Sequence, residues 1–220
     1  PGASFEPGPE ALEVTYLASH LGEYVFSLKV FDQVDGTVIP GCGTATWSVT
    51  VKDAIPLIVE LTWDTPGDTN QGDTGAGAGA DLDLHVHDGL GNGPDYDGDG
   101  EADTWFDFVH DLYWVDTSPD WGAPGPSDDP WLAIEDPDGA GPERMEYHAV
   151  PVGSTFTVGA HVWSDYGFGP SVATVRIYHF EELVHEITDV VVSSGDLWEA
   201  GSIGWPKVDW TPAVGNDGGP

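Results

Sequence analysis

Asp95, Asp97, Asp99 and Asp103 fall at closely spaced positions of the run Asp95-Tyr96-Asp97-Gly98-Asp99-Gly100-Glu101-Ala102-Asp103, a pattern suited to holding a hard cation. Calcium takes about six to eight oxygens at about 2.3 to 2.6 Å. Carboxylates at loop positions one, three, five and nine supply several of them, and the carbonyl of Glu101 at position seven adds another. An EF-hand would place a bidentate acid at position twelve, but that residue is Phe106, with Asp107 one place late. A helix-flanked EF-hand is therefore not expected, and the run is read as a calcium loop ahead of an aromatic strand. Without a cation it would be a solvated acidic turn.

A second group starts at Asp81-Leu82-Asp83-Leu84-His85-Val86-His87. Side chains of a strand alternate between faces, so Asp81, Asp83, His85 and His87 share one side while Leu82, Leu84 and Val86 bury the other. The polar row could meet loops carrying Asp128, Asp129, Asp136 and Asp138, with Glu143 nearby, to form another calcium site; alternatively it is an outward polar face. The His85-x-His87 pair also invites zinc, which accepts imidazole and carboxylate, although no cysteine ligand or third placed histidine accompanies it.

Between Asp53 and Glu143 the chain holds 23 acidic residues and no Lys or Arg. Crowded carboxylates repel one another, so a compact fold must spread them in solvent or neutralise them with counter-ions. Excess aspartate also hydrates surfaces in high salt, but a solvation strategy would spread charge evenly, whereas residues 144–220 hold three of the five basic residues. The formal charge of −34 argues against nucleic acid and anionic membrane surfaces as partners. No window has the apolar length of a membrane span.

Catalytic signatures are thin. The chain has no Gly-x-Ser-x-Gly elbow and no phosphate-cradling Gly-x4-Gly-Lys, and His185-Glu186-Ile187-Thr188-Asp189 lacks the second histidine of a zinc-protease helix. Acidic pairs that would serve a glycosidase arise here from abundance alone. Most of the tryptophans lie at strand positions and are expected in a core. Trp121 differs, because Ser118-Pro119-Asp120-Trp121-Gly122 reads as a turn that would expose its ring for stacking on a sugar or a partner.

The elements that must position these groups are strands. Apolar residues alternate in short runs, punctuated by 30 Gly and 18 Pro, which gives an all-β class. Residues 23–32 and 44–52 alternate with period two as half-buried strands. Beyond Pro56, strands are expected at 57–63, 82–86, 107–115, 131–134, 144–150, 155–163, 171–180, 183–192 and 197–205, enough for a β-sandwich or jelly roll with long acidic loops over residues 57–206. Residues 207–220 read as a linker or tail.

The stretch Gly22-Glu23-Tyr24-Val25-Phe26-Ser27-Leu28-Lys29-Val30-Phe31-Asp32, with the strand Trp47 to Val51, resembles the C-terminal half of a PKD-type, immunoglobulin-like repeat. That resemblance implies a partial domain over residues 1–54 whose early strands come from upstream sequence or from another chain. Cys42, the single cysteine, would then have lost its partner with the missing segment. Residues 57–206, through Leu61-Thr62-Trp63-Asp64-Thr65-Pro66-Gly67-Asp68, Ala80 to Val86, Asp136 to Glu143 and Trp163-Ser164-Asp165-Tyr166-Gly167, resemble an acidic, Trp-rich β-domain that follows PKD-type repeats in bacterial surface lipoproteins.

These readings lead to a non-catalytic, calcium-stabilised module of the cell exterior or cell surface, structural or adhesive. Its expected partners are calcium and either other copies of itself, in a fibre completed by strand exchange, or another surface protein. A calcium-dependent glycan-binding module and an accessory domain of a secreted hydrolase are the alternatives.

Overall fold

The computed structural model of the chain describes residues 22–34, 37–51, 54–75, 77–96, 98–137 and 139–213. Every regular element among them is a strand, and every pairing between strands is antiparallel. The chain divides into two compact units, Pro1–Ala54 and Ile55–Pro220.

In the first unit β1 (Gly22–Val34) and β2 (Thr37–Val51) form a two-stranded sheet, with a register shift between Lys29 and Phe31. Phe26 faces Trp47 in register, and their rings stack at 5.4 Å. Val25, Leu28, Trp47 and Val49 are exposed.

The second unit is a sandwich of two five-stranded sheets. Ten strands build it: β3 (Leu57–Asp64), β4 (Asp81–His87), β5 (Asp111–Leu112), β6 (Pro130–Ile134), β7 (Glu143–Tyr147), β8 (Thr155–Ser164), β9 (Ser171–His179), β10 (Glu182–Val192), β11 (Leu197–Gly204) and β12 (Asp209–Pro212). One sheet runs β10-β9-β3-β7-β6 and the other β12-β11-β8-β4-β5. Period-two alternation sends Leu57, Val59 and Leu61 of β3, with Val175 and Ile177 of β9, toward one shared core; Leu82, Leu84 and Val86 of β4, with Val158, Ala160 and Val162 of β8, meet them there.

The outer face of the first sheet gathers both arginines of the chain. Arg144 and Arg176 flank Glu60 in register, and Arg176 pairs with Glu186 at 2.8 Å. On the outer face of the second sheet, Tyr96, Trp105 and Phe106 from the stretch after β4 pack against His85, His87 and His161.

Two elements differ from the sequence reading. The strand expected over 107–115 shrinks to Asp111–Leu112, because Asp107 accepts the N–H groups of Val109 and Asn92 and holds residues 107–110 in a turn. Part of the expected tail is structured: Asp209–Pro212 pairs with β11. Gly201 permits that approach with φ +151°, since a Cβ there would lie 2.4 Å from the Thr211 carbonyl oxygen.

Candidate metal centre

All seven residues of β4 are buried, the polar face as completely as the apolar one. A half-polar strand can be buried on both faces only if its polar groups find partners or a counter-ion. Lining that face are Asp83 and His85 from β4 and His161 from β8, where Asp83 and His161 are paired across the ladder. One potential ligand atom from each of the three lies within 4.8 Å of the others. The Asp83 Oδ2 atom is 3.4 Å from His161 Nδ1.

The lid over this group is aromatic. The Phe106 ring stands 4.8 Å from that of His85 and 5.3 Å from that of His161, and it also meets Tyr96 at 4.9 Å. Tyr113 stacks on the other side of His85 at 4.8 Å. Phe106 has φ +61°, an unfavourable conformation for a bulky residue, and its N–H donates to Asp111 Oδ2 at 2.7 Å. The same Asp111 oxygen lies 2.7 Å from His85 Nδ1. Tyr96 completes the enclosure from the acidic loop, its hydroxyl lying 2.9 Å from His161 Nε2 and donating to the Gly195 carbonyl at 2.7 Å.

Gly159, opposite His85 in the ladder, leaves room for the Trp105 ring. A Cβ there would lie 2.9 Å from a Trp105 ring atom and 2.9 Å from the Trp198 carbonyl oxygen. Gly159→Ala should therefore cost about 1–3 kcal/mol, the usual range for overpacking. A lowered urea midpoint with a shifted tryptophan emission would mark displacement of the lid, and an unchanged midpoint would show that the lid does not press on β8.

Correct pairing of the histidines differs from the sequence reading. His87, whose pairing with His85 invites a zinc reading, stands outside the group: its Nδ1 accepts from Gly89 N at 3.0 Å and its Nε2 reaches Thr104 Oγ1 at 3.1 Å. Burial lowers the His87 pKa, with nearby Asp111 and Asp88 opposing the shift. The imidazole that joins His85 is His161, distant in sequence and brought beside it by the β4–β8 pairing.

The other expected ligands are spread through the second unit. Asp95, Asp99, Glu101 and Asp103 lie on the loop leading to the lid, which is organised by its own carboxylates: Asp95 accepts from Gly98 N and Gly100 N at 2.7 and 3.0 Å, and Asp103 accepts from Tyr96 N at 2.6 Å. Asp128 and Asp129 shape the loop around Trp121, accepting from Ala123 N at 2.9 Å and Trp121 N at 3.0 Å. Asp81 is buried on β4 and Asp136 lies in the loop before β7. Glu143 is buried and its carboxylate accepts the N–H of Leu84. Asp97, Asp138 and the Cys42 side chain lie outside what is described. Among the described residues, Asp83, His85 and His161 are the one group of three or more such side chains within metal-binding distance.

Trp121 is corrected outright. Its ring is 4% exposed, stacks on Phe156 at 5.5 Å and donates from Nε1 to the Val109 carbonyl at 3.0 Å. Turn sequence and core position are compatible here because Asp129 holds the turn against the sandwich. Tyr147, in edge contact with Trp121, has its pKa pushed up to about 12, by burial first and then by the charges of Asp128 and Asp129.

No family model matches this chain, and neither a curated protein nor a solved structure matches it.

Proposed function

We propose that the chain is a non-catalytic structural module of the cell exterior, held rigid by bound divalent cations. The observation that carries this reading is the burial of Asp83, His85 and His161 beneath a lid drawn from a segment with no basic residue. A cation there would tie β4 to β8 directly and, through Asp111 and Tyr96, hold the lid down. The Asp95–Asp103 loop is the place we assign to calcium, whose all-oxygen preference suits it. The exposed Val25, Leu28, Trp47 and Val49 of the PKD-like hairpin support assembly with a second copy. Burial of Trp121 removes the support that the glycan reading drew from it.

Thermal unfolding of the chelated chain, repeated with millimolar calcium, magnesium or zinc, tests the proposal. A cation at about 100 times its Kd stabilises by about 2.7 kcal/mol, and for this size about 1 kcal/mol shifts Tm by about 2–4 °C. A rise of about 5–10 °C with at least one cation is expected, and light scattering in the same samples reads self-association. A midpoint indifferent to every cation would overturn the cation-stabilised reading.

A further inference from the structure

The hydrogen bonds around the buried group fix which atoms face one another. The Asp111 carboxylate only accepts, so the proton of His85 sits on Nδ1, 2.7 Å from Asp111 Oδ2. His85 Nε2 is left with a lone pair, fully buried and without a hydrogen-bond partner. The single hydroxyl proton of Tyr96 goes to the Gly195 carbonyl, so the Tyr96 oxygen accepts from His161 Nε2. His161 Nδ1 then turns its own lone pair toward Asp83 Oδ2 at 3.4 Å.

Asp83, His85 and His161 each offer a ligand atom within 4.8 Å of the others, and among the described residues no hydrogen bond reaches the lone pair on His85 Nε2. Buried acceptors left unpaired are costly, and a carboxylate facing an imidazole lone pair needs a proton or a metal ion between them. A proton on His161 Nδ1 would satisfy Asp83, but it would leave His85 Nε2 unpaired. A metal ion satisfies all three. Tetrahedral ligands about 2.0–2.1 Å from zinc stand about 3.3 Å apart, close to the observed Asp83–His161 separation.

We infer that Asp83, His85 Nε2 and His161 Nδ1 form a binding site for a zinc-class ion, oriented by Asp111 and Tyr96. This rests on the reading that the buried group holds a cation, and it names the class. Calcium and magnesium take oxygen donors, whereas two imidazoles and one carboxylate suit zinc and its borderline neighbours such as cobalt(II). The Asp111 contact to His85 and the Tyr96 contact to His161 are the outer hydrogen bonds that hold ligating imidazoles in one tautomer.

Cobalt(II) titration of the full, chelated chain, followed by visible absorption and zinc displacement, is the test. A 1:1 absorption that zinc abolishes and excess calcium leaves intact is expected. Asp83→Asn and His161→Ala should remove it, with tryptophan emission confirming the fold. His110→Ala, at the separate half-exposed pair with Asp88, should leave it unchanged. Should those ligand variants fail to fold, Tyr96→Phe on the exposed side of the lid should weaken binding about 10–100-fold. Binding undiminished in Asp83→Asn and His161→Ala would place the ion elsewhere and overturn the assignment, as would an unchanged affinity in Tyr96→Phe. Stabilisation by calcium alone, with no cobalt absorption, would overturn the zinc-class assignment while leaving the cation-stabilised module standing. No response to any cation would overturn both.

Discussion

Trp121→Ala should lower stability by about 3–5 kcal/mol, the range for removing a large buried aromatic. The ring lies parallel to Phe156, with an interplanar angle of 10°, and edge-on to Tyr147. Its truncation leaves a cavity between the sheets and strips the Val109 carbonyl of its indole donor. Urea denaturation reads the effect as a fall in midpoint at constant m, because the unfolded state is little changed. Trp121→Phe separates the parts: it keeps an aromatic ring against Phe156 but loses the hydrogen bond and the volume of the second ring, so an intermediate loss of about 1–3 kcal/mol is expected. A loss below about 1 kcal/mol in the alanine variant would mean that the ring can leave the core without penalty, and the exposed, ligand-stacking reading of this turn would return.

Trp121 also shows where sequence reasoning stops. Local residues define the turn around it, but whether a turn faces solvent or folds back on a core depends on what lies opposite. Here Phe156 and Tyr147 lie opposite, supplied by β8 and β7 from beyond the turn. The strands were far easier to read, since period-two alternation is local and most observed strands coincide with alternating runs. The exceptions arise where side-chain hydrogen bonds or close backbone approach decide. Asp107 ends the run that would have extended β5, and Gly201 admits a short strand from a segment whose composition reads as tail.

The candidate site was half visible in the same way. Asp83 and His85 share a strand face, so their neighbourhood follows from the alternation of β4 alone. His161 sits on the corresponding face of β8, with Gly159 and Trp163, opposite Val158, Ala160 and Val162. That pattern marks it as facing away from the core, but only the β4–β8 pairing brings it to Asp83. The orienting residues were less accessible still, because Asp111, Tyr96 and Phe106 act through a lid whose path over the sheet is set by tertiary contacts. The acidic density that first suggests cations points to this stretch of the chain. The tightest group it leads to nevertheless contains two imidazoles.

Glu143→Gln should make the protein more stable at neutral and alkaline pH, with a gain that grows as pH rises. Glu143 reaches from β7 to the N–H of Leu84, on a stretch of β4 that the two-residue β5 leaves unpaired. Burial raises its pKa well above the ordinary 4.5, and the charges of Asp83 and Glu135 add to the shift, while the Leu84 N–H opposes it. Below about pH 4.5 the carboxyl is protonated in both folded and unfolded chains and has no effect on the balance. Above that value the unfolded chain ionises first, so folding takes up a proton and stability falls by about 1.4 kcal/mol per pH unit until the folded-state pKa is passed. Glutamine keeps an acceptor for Leu84 and cannot ionise, which removes that slope. Urea midpoints of both proteins in chelator, from pH 4 to pH 8, should converge at the acid end and separate as pH rises. Parallel curves would show that Glu143 ionises as readily in the folded chain as in the unfolded one, and would overturn the raised pKa.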